Sequence, residues 1–251
     1  MTGLRWSELP GLVFGACALP VFALLFIVAC VVTLLVPGLD RRRRVLRGFS
    51  RLGLLVLGQR VSISGLDHLP AGSCVIVANH ASYLDGVILK AMLPPRFSFV
   101  IKREAAKIPV AGLLLQLIGS EFVDRHNHRD RHKDARRVMR RAEQGHSLVF
   151  FPEGTFHTEP GLQRFHVGAF ATAVRAGCPV VPAVIRGARR ALPNNRWIPR
   201  PGRIDVEVLQ PLPCGATRDA AESLRDESRR SILERLGEPD LTTRTAAEVA
   251  A

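Results

Sequence analysis

The stretch IVANHASYLDGVIL, residues 76–89, sets Asn79, His80, Ser82, Tyr83 and Asp85 between an apolar run suited to a buried strand and an apolar run suited to a helix. A histidine five residues ahead of an aspartate at such a turn supports two readings. As a helix start, Ser82-x-x-Asp85 is a capping-box pattern with Asp in place of Glu or Gln, and it leaves His80 unexplained. As chemistry, a carboxylate on one imidazole nitrogen fixes the tautomer and stabilises the imidazolium, so the other nitrogen can take a proton from a hydroxyl. Five is not a same-face helical spacing, since helical neighbours lie three and four apart. The pair meets only if His80 lies on the loop and Asp85 in the first helical turn. A side-chain nucleophile is not required if the hydroxyl belongs to the substrate.

Three further stretches carry weaker signals. SLVFFPEGTFH, residues 147–157, runs a strand into Pro152, Glu153, Gly154 and Thr155; proline stops the strand and glycine permits tight backbone beside a ligand. GSEFVDR, residues 119–125, ends a short strand on Arg125. CPVVPAVIRG, residues 178–187, reads as a buried strand whose Pro182 argues for an edge or a bulge. The His128/His132 pair stands at helical spacing inside RHNHRDRHK and reads as a solvated basic turn; no metal site is expected.

The elements that must position these residues alternate. Candidate strands lie at 61–64, 73–78, 97–101, 121–123, 147–151, 180–185 and 204–209. Candidate helices lie at 85–92, 109–117, 130–144, 167–176 and 218–236. This order predicts an α/β domain over 59–237 with a mixed, largely parallel sheet covered by helices. A small polar tail, 238–251, is expected to fray.

Residues 9–39 carry no charge, and GLVFGACALPVFALLFIVAC is apolar throughout. A helix of that length covers roughly 40 Å or more at 1.5 Å per residue, against about 30 Å for the hydrocarbon core of a bilayer. Residues 1–40 are therefore expected to form a membrane anchor, either one helix or a helical hairpin broken at Pro20. A basic helix over 41–58 follows. It suits a membrane surface or packing on the domain equally well. The arginines after residue 40 place the following chain on the cytoplasmic side of a membrane, the inner membrane if the cell is bacterial.

The chain of 251 residues has 47% hydrophobic residues, which excludes a disordered protein, and a net charge of +13, which calls for an anionic partner. The anchor already supplies one, a phospholipid surface, and no nucleic-acid fold signature stands beside the charge. The basic stretch RGARRALPNNRWIPRPGR, 186–203, adds Trp197 among six arginines, which suits a membrane interface or a phosphate-rich ligand. The five cysteines, Cys17, Cys30, Cys74, Cys178 and Cys214, include no C-x-x-C pair and read as reduced thiols.

Taken together and in order, the four stretches resemble the glycerolipid acyltransferase family, best known for the 1-acylglycerol-3-phosphate acyltransferases. Asn79, His80 and Asp85 match its N-H-x-x-x-x-D motif, residues 151–155 match F-P-E-G-T, Gly119, Phe122 and Arg125 match the Arg motif, and Val181-Pro182 matches the last motif. The resemblance spans roughly residues 60 to 210. It implies that His80 is the general base and Asp85 its orienting partner. It implies an acceptor site formed by Arg125, Glu153, Gly154 and Thr155, with Asn79 and Ser82 beside it. The reaction implied moves an acyl chain from acyl-CoA or acyl carrier protein to a lysolipid hydroxyl, with no cofactor. Two departures bear on the acceptor: Phe156 and His166 stand where many phosphatidate-forming members carry Arg and Lys. Another lysolipid acceptor, or a non-catalytic lipid-binding protein on the same fold, are the alternatives. The intact His80 and Asp85 speak against the second.

Overall fold

The computed structural model describes residues 9–124, 128–215, 217 and 219–242. Two long helices come first, α1 (Leu9–Leu35) and α2 (Leu39–Val56). Seven strands follow: β1 (Gln59–Ser64), β2 (Val75–Ala78), β3 (Ser98–Lys102), β4 (Glu121–Val123), β5 (Leu148–Phe150), β6 (Val180–Arg186) and β7 (Gly202–Val208). They form one sheet in the order β1-β7-β6-β2-β5-β3-β4. Every neighbouring pair is parallel except β6 and β7, which are antiparallel. The helices between and after the strands are α3 (Asp85–Met92), α4 (Ala111–Leu117), α5 (His128–Glu143), α6 (Gly168–Ala176), α7 (Ala188–Ala191) and α8 (Ala220–Leu236). The expected mixed, largely parallel α/β sheet is thus the architecture observed.

All four residues of β2 and six of seven in β6 are buried. Strands covered on both faces must be apolar at every position rather than at alternate ones, which is why these runs read as unbroken hydrophobic segments. Phe97, Ile88 and Leu89 pack with Ile76 on one face, and Phe165, Phe170 and Ile232 pack with Val75 and Val77 on the other.

Pro182 lies inside central β6, not at an edge. It pairs with Val77 of β2, and its carbonyl accepts the Leu209 N–H at 2.8 Å. The β6–β7 ladder ends at Ala183↔Val208, and the next bridge is Val180↔Leu212. Three steps along β6 are therefore matched by four on the partner side. Of the two expectations for this proline, the irregular ladder holds, because the missing N–H falls where regular pairing is interrupted.

Pro20 is carried inside a single unbroken α1, and 13–35 of that helix are long and apolar enough to cross a membrane by length and composition. A narrow stripe of small residues, Gly15, Ala18 and Ala29, is buried, while Leu24, Ile27, Val31 and Leu35 are exposed. The small residues let neighbouring groups approach. A Cβ on Gly15 would stand 2.1 Å from the Pro199 carbonyl oxygen. Ala18 of α1 and Leu54 of α2 belong to the same apolar cluster as the sheet, so the boundaries expected at 40 and 58 are not breaks in packing.

Helix α2 packs on the domain, one of the two expectations held for it. Leu52 and Leu55 are exposed, but half of its arginines turn toward the domain. Arg43 is buried and donates to the carbonyls of Ile118 and Arg96, and Arg47 and Arg51 donate to the Ala91 carbonyl at the end of α3. Cations there complement the carbonyl end of the α3 dipole.

The tail does not begin to fray at 238. Glu238 accepts from Gly161 N–H and from Arg189, and Arg229 bridges Asp240 and the Gln163 carbonyl. Charge-assisted bonds from partly buried arginines hold 238–242 against the loop that precedes α6. Residues 243–251 lie outside the described residues.

Candidate active site

Strands β2, β5, β3 and β4 run the same way, so the segments 79–85 and 151–155 leave the sheet on one edge. That edge, at the carboxyl ends of parallel strands, is where open α/β sheets place ligands. Asn79 is the first residue past β2. It is buried, and its amide clasps the backbone of Ile185 in β6, donating to the carbonyl at 2.9 Å and accepting the N–H at 2.7 Å. Both ends of the amide are spent on holding the turn to the neighbouring strand.

His80 follows on the loop, and Asp85 opens α3. They meet: His80 Nδ1 lies 2.8 Å from Asp85 Oδ2. The same oxygen accepts the N–H groups of Ala81 at 2.7 Å and Ser82 at 2.8 Å. The contacts that both readings of the turn call for are present. The bond from Ser82 N–H to Asp85 is half of a capping box, and the bond to His80 is the histidine–carboxylate pair. One fully buried carboxylate does both. The other half of the box is missing, because the N-cap position is Leu84. The Ser82 hydroxyl instead accepts from Leu84 N–H at 3.1 Å and donates to the Leu192 carbonyl at 2.7 Å. Asp85 Oδ1 is buried without a hydrogen-bond partner. A carboxylate can only accept, so His80 carries its proton on Nδ1 and presents Nε2 as the basic nitrogen.

The imidazole is held between two rings. Phe151 stacks on it at 4.4 Å between centroids, and Phe156 meets it at 4.5 Å with a 57° tilt. Tyr83 packs edge-on against Phe156 at 4.8 Å, stacks with the exposed Trp197 and donates from its hydroxyl to Asn194 at 3.0 Å. The basic stretch 186–203 thus reaches the histidine through aromatic contacts, Trp197 on Tyr83 and Tyr83 on Phe156. Arg186, Arg189 and Arg203 of that stretch are paired with Glu207, Glu238 and Asp205.

Glu153 is 4% exposed and points inward. Gly154, at φ +82°, turns the chain back in a conformation that favours glycine. Burial pushes the Glu153 carboxyl up from 4.5 to about 7, against the pull of N–H bonds from His80 and Gln163; nearby Asp85 adds to the rise and Arg189 opposes it. The raised value means that the folded chain binds this proton more tightly than the unfolded chain does between those two pH values. Stability on its account is full below about 4.5 and declines as pH rises toward about 7. Glu153→Gln is expected to flatten that part of the Tm–pH curve of the full-length protein. An unchanged slope would place the titrating group elsewhere.

Thr155 is exposed, and its carbonyl accepts from Gln163 Nε2 at 3.0 Å. Arg125 lies outside the described residues; β4, which precedes it, ends at Val123 on the catalytic edge. The sequence did not mark Phe151 as a wall of the histidine slot, nor Asn194 as a partner of Tyr83. The exchange at Phe156 was the one visible signal of that wall.

A histidine paired with a buried carboxylate lies on the ligand-binding edge of a mainly parallel sheet. Residues 60–186 match the family model described as Acyltransferase. The 1-acyl-sn-glycerol-3-phosphate acyltransferase of Haemophilus influenzae is 30% identical over 176 residues, covering 69% of this chain and 72% of that protein. The alpha form from Mus musculus is 34% identical over 216 residues, covering 80% and 74%. The chain belongs to the glycerolipid acyltransferase family and is an acyltransferase. The crystal structure of the 1-acyl-sn-glycerophosphate acyltransferase from Thermotoga maritima shares the fold, with a TM-score of 0.75 at 19% identity over 95% of this chain and 99% of that one.

Proposed function

We propose that this acyltransferase esterifies the free hydroxyl of a lysophospholipid, foremost 1-acylglycerol-3-phosphate, with the acyl chain of acyl-CoA or acyl carrier protein. The observation that carries the reading is the 2.8 Å contact between His80 Nδ1 and the buried Asp85. His80 Nε2 takes the proton of the acceptor hydroxyl as its oxygen attacks the thioester carbonyl. The carbon–sulfur bond then breaks, and the imidazolium returns the proton to the departing thiolate. Asp85 stabilises the imidazolium between the two steps. The products are an ester and a free thiol, so atoms balance without a cofactor. The names of the relatives support the acceptor.

Phe156 favours a second reading of the headgroup. A phosphate monoester bears close to two negative charges near neutral pH, and here an apolar ring, not a cation, packs on the imidazole. The test is kcat/KM with a labelled acyl thioester across lysolipids that differ only in headgroup, for the wild type and Phe156→Arg. Wild type is expected to use lysophosphatidate alongside zwitterionic lysolipids, and Phe156→Arg to shift the ratio toward lysophosphatidate. Strict selectivity in the wild type would remove the second reading. No transfer to any lysolipid would remove the first.

Attachment to a membrane belongs to the same proposal. Its support is the exposed apolar surface of α1 continued by Leu52 and Leu55 of α2. Full-length protein is expected to stay with the membrane pellet through high-salt and carbonate washes. Release by either wash would leave only a peripheral contact.

A further inference from the structure

Three consecutive amides of the catalytic turn point at carboxylates. Those of Ala81 and Ser82 go to Asp85, and that of His80 goes to Glu153 Oε1 at 2.6 Å. Successive N–H groups in a turn form a concavity suited to anions, and here two side chains fill it. The second oxygen of Glu153 accepts the Gln163 N–H at 3.0 Å. Glu153 therefore ties the turn after β2 to the loop before α6, and the carboxylate acts where a strand's main chain would. That loop is anchored in its own right. His166 N–H donates to the Pro152 carbonyl at 2.9 Å, and Arg229 and Glu238 grip its residues 161–163.

The geometry is unlike that of a headgroup ligand. The carboxylate is nearly sealed from solvent, and each oxygen is turned toward main chain. Burying a carboxylate costs stability unless hydrogen bonds offset the lost hydration. The fold carries that cost at the residue whose bond fixes the backbone of His80.

We propose that Glu153 is a positioning residue: it holds the main chain of His80, as Asp85 holds the ring, so that Nε2 meets the acceptor hydroxyl. The inference rests on His80 being the base. The two anchors divide the work. Asp85 sets the rotation and charge of the imidazole. Glu153 sets where the Cα stands relative to β5 and its loop, and with it the slot between Phe151 and Phe156.

The test is steady-state kinetics of full-length Glu153→Gln with lysophosphatidate and an acyl thioester. Glutamine offers one oxygen to two N–H groups and turns its NH2 toward the second, so the clamp opens at one end. Misplacement of a reacting group by about 1 Å can cost on the order of 100-fold in rate. Glu153→Gln is therefore expected to lower kcat by roughly 10- to 100-fold, with both KM values within about twofold of wild type. Any other pattern overturns the proposal. A raised acceptor KM at preserved kcat would make Glu153 a substrate ligand, and unchanged kinetics would leave it a structural group only. If Glu153→Gln shows no cooperative melting, Glu153→Asp, which keeps the charge but is too short to span both amides, is judged by the same criteria. His80→Ala in the same assay separates the two claims. Near-wild-type turnover by that variant would sink the assignment of the base, whereas a kinetic failure of Glu153→Gln beside an inactive His80→Ala would sink the positioning role alone.

Discussion

Replacing His80 with alanine is expected to lower kcat by about 10²–10⁴-fold, the range a positioned general base contributes. The chain should still fold, with stability lower by about 1–3 kcal/mol from the two lost ring contacts. The side chain is 19% exposed, and what disappears with it is one bond to Asp85 and contacts with Phe151 and Phe156. Aromatic contacts of that kind contribute about 0.5–1.5 kcal/mol each. The vacated slot lies between two flat rings, so added imidazole should restore part of the activity. The measurements are kcat and Tm of the full-length variant. Turnover within tenfold of wild type would remove His80 from the chemistry.

Replacing Asp85 with asparagine separates the two tasks that one carboxylate performs. All three bonds to Asp85 end on Oδ2, and Oδ1 is buried without a partner. An asparagine that places its oxygen at the Oδ2 position keeps the same acceptor for His80, Ala81 and Ser82, and loses only the charge. Its NH2 then occupies the Oδ1 position, buried and unsatisfied, which costs about 1–3 kcal/mol. The catalytic loss should be larger. Once His80 Nε2 has taken the proton the imidazolium has no anion beside it, and kcat is expected to fall on the order of 100-fold or more, as for a base that loses its charged partner. A variant with lowered Tm and near-normal kcat would reduce Asp85 to its part in starting α3.

What could be read from the chain divides along local and non-local lines. His80 and Asp85 were legible because five residues separate them and one turn brings them together. The capping pattern and the catalytic pattern could not be told apart in the sequence, because each requires the carboxylate to reach back toward Ser82. The structure joins them on a single oxygen. The run of arginines after residue 40 was legible as charge. That Arg43, Arg47 and Arg51 would turn inward to distant main-chain carbonyls was not, since those carbonyls come from 40 to 75 residues further along the chain.

The sequence by itself determined the order of strands and helices, the apolar α1, the histidine–aspartate turn and the strand-ending P-E-G-T segment. Each of these is set by periodicity, turn chemistry or apolar length within a few tens of residues. The tertiary structure alone decided that β6 lies at the centre and carries Pro182 at an interrupted ladder, that the Asn79 amide is spent on Ile185 and that Phe151 and Phe156 enclose the His80 ring. It alone turned Glu153 away from solvent and onto the backbone of His80. The reason is physical. Those contacts join residues 71 to 106 positions apart, and side-chain identity within a short window carries no information about which distant backbone group a carboxylate or amide will meet.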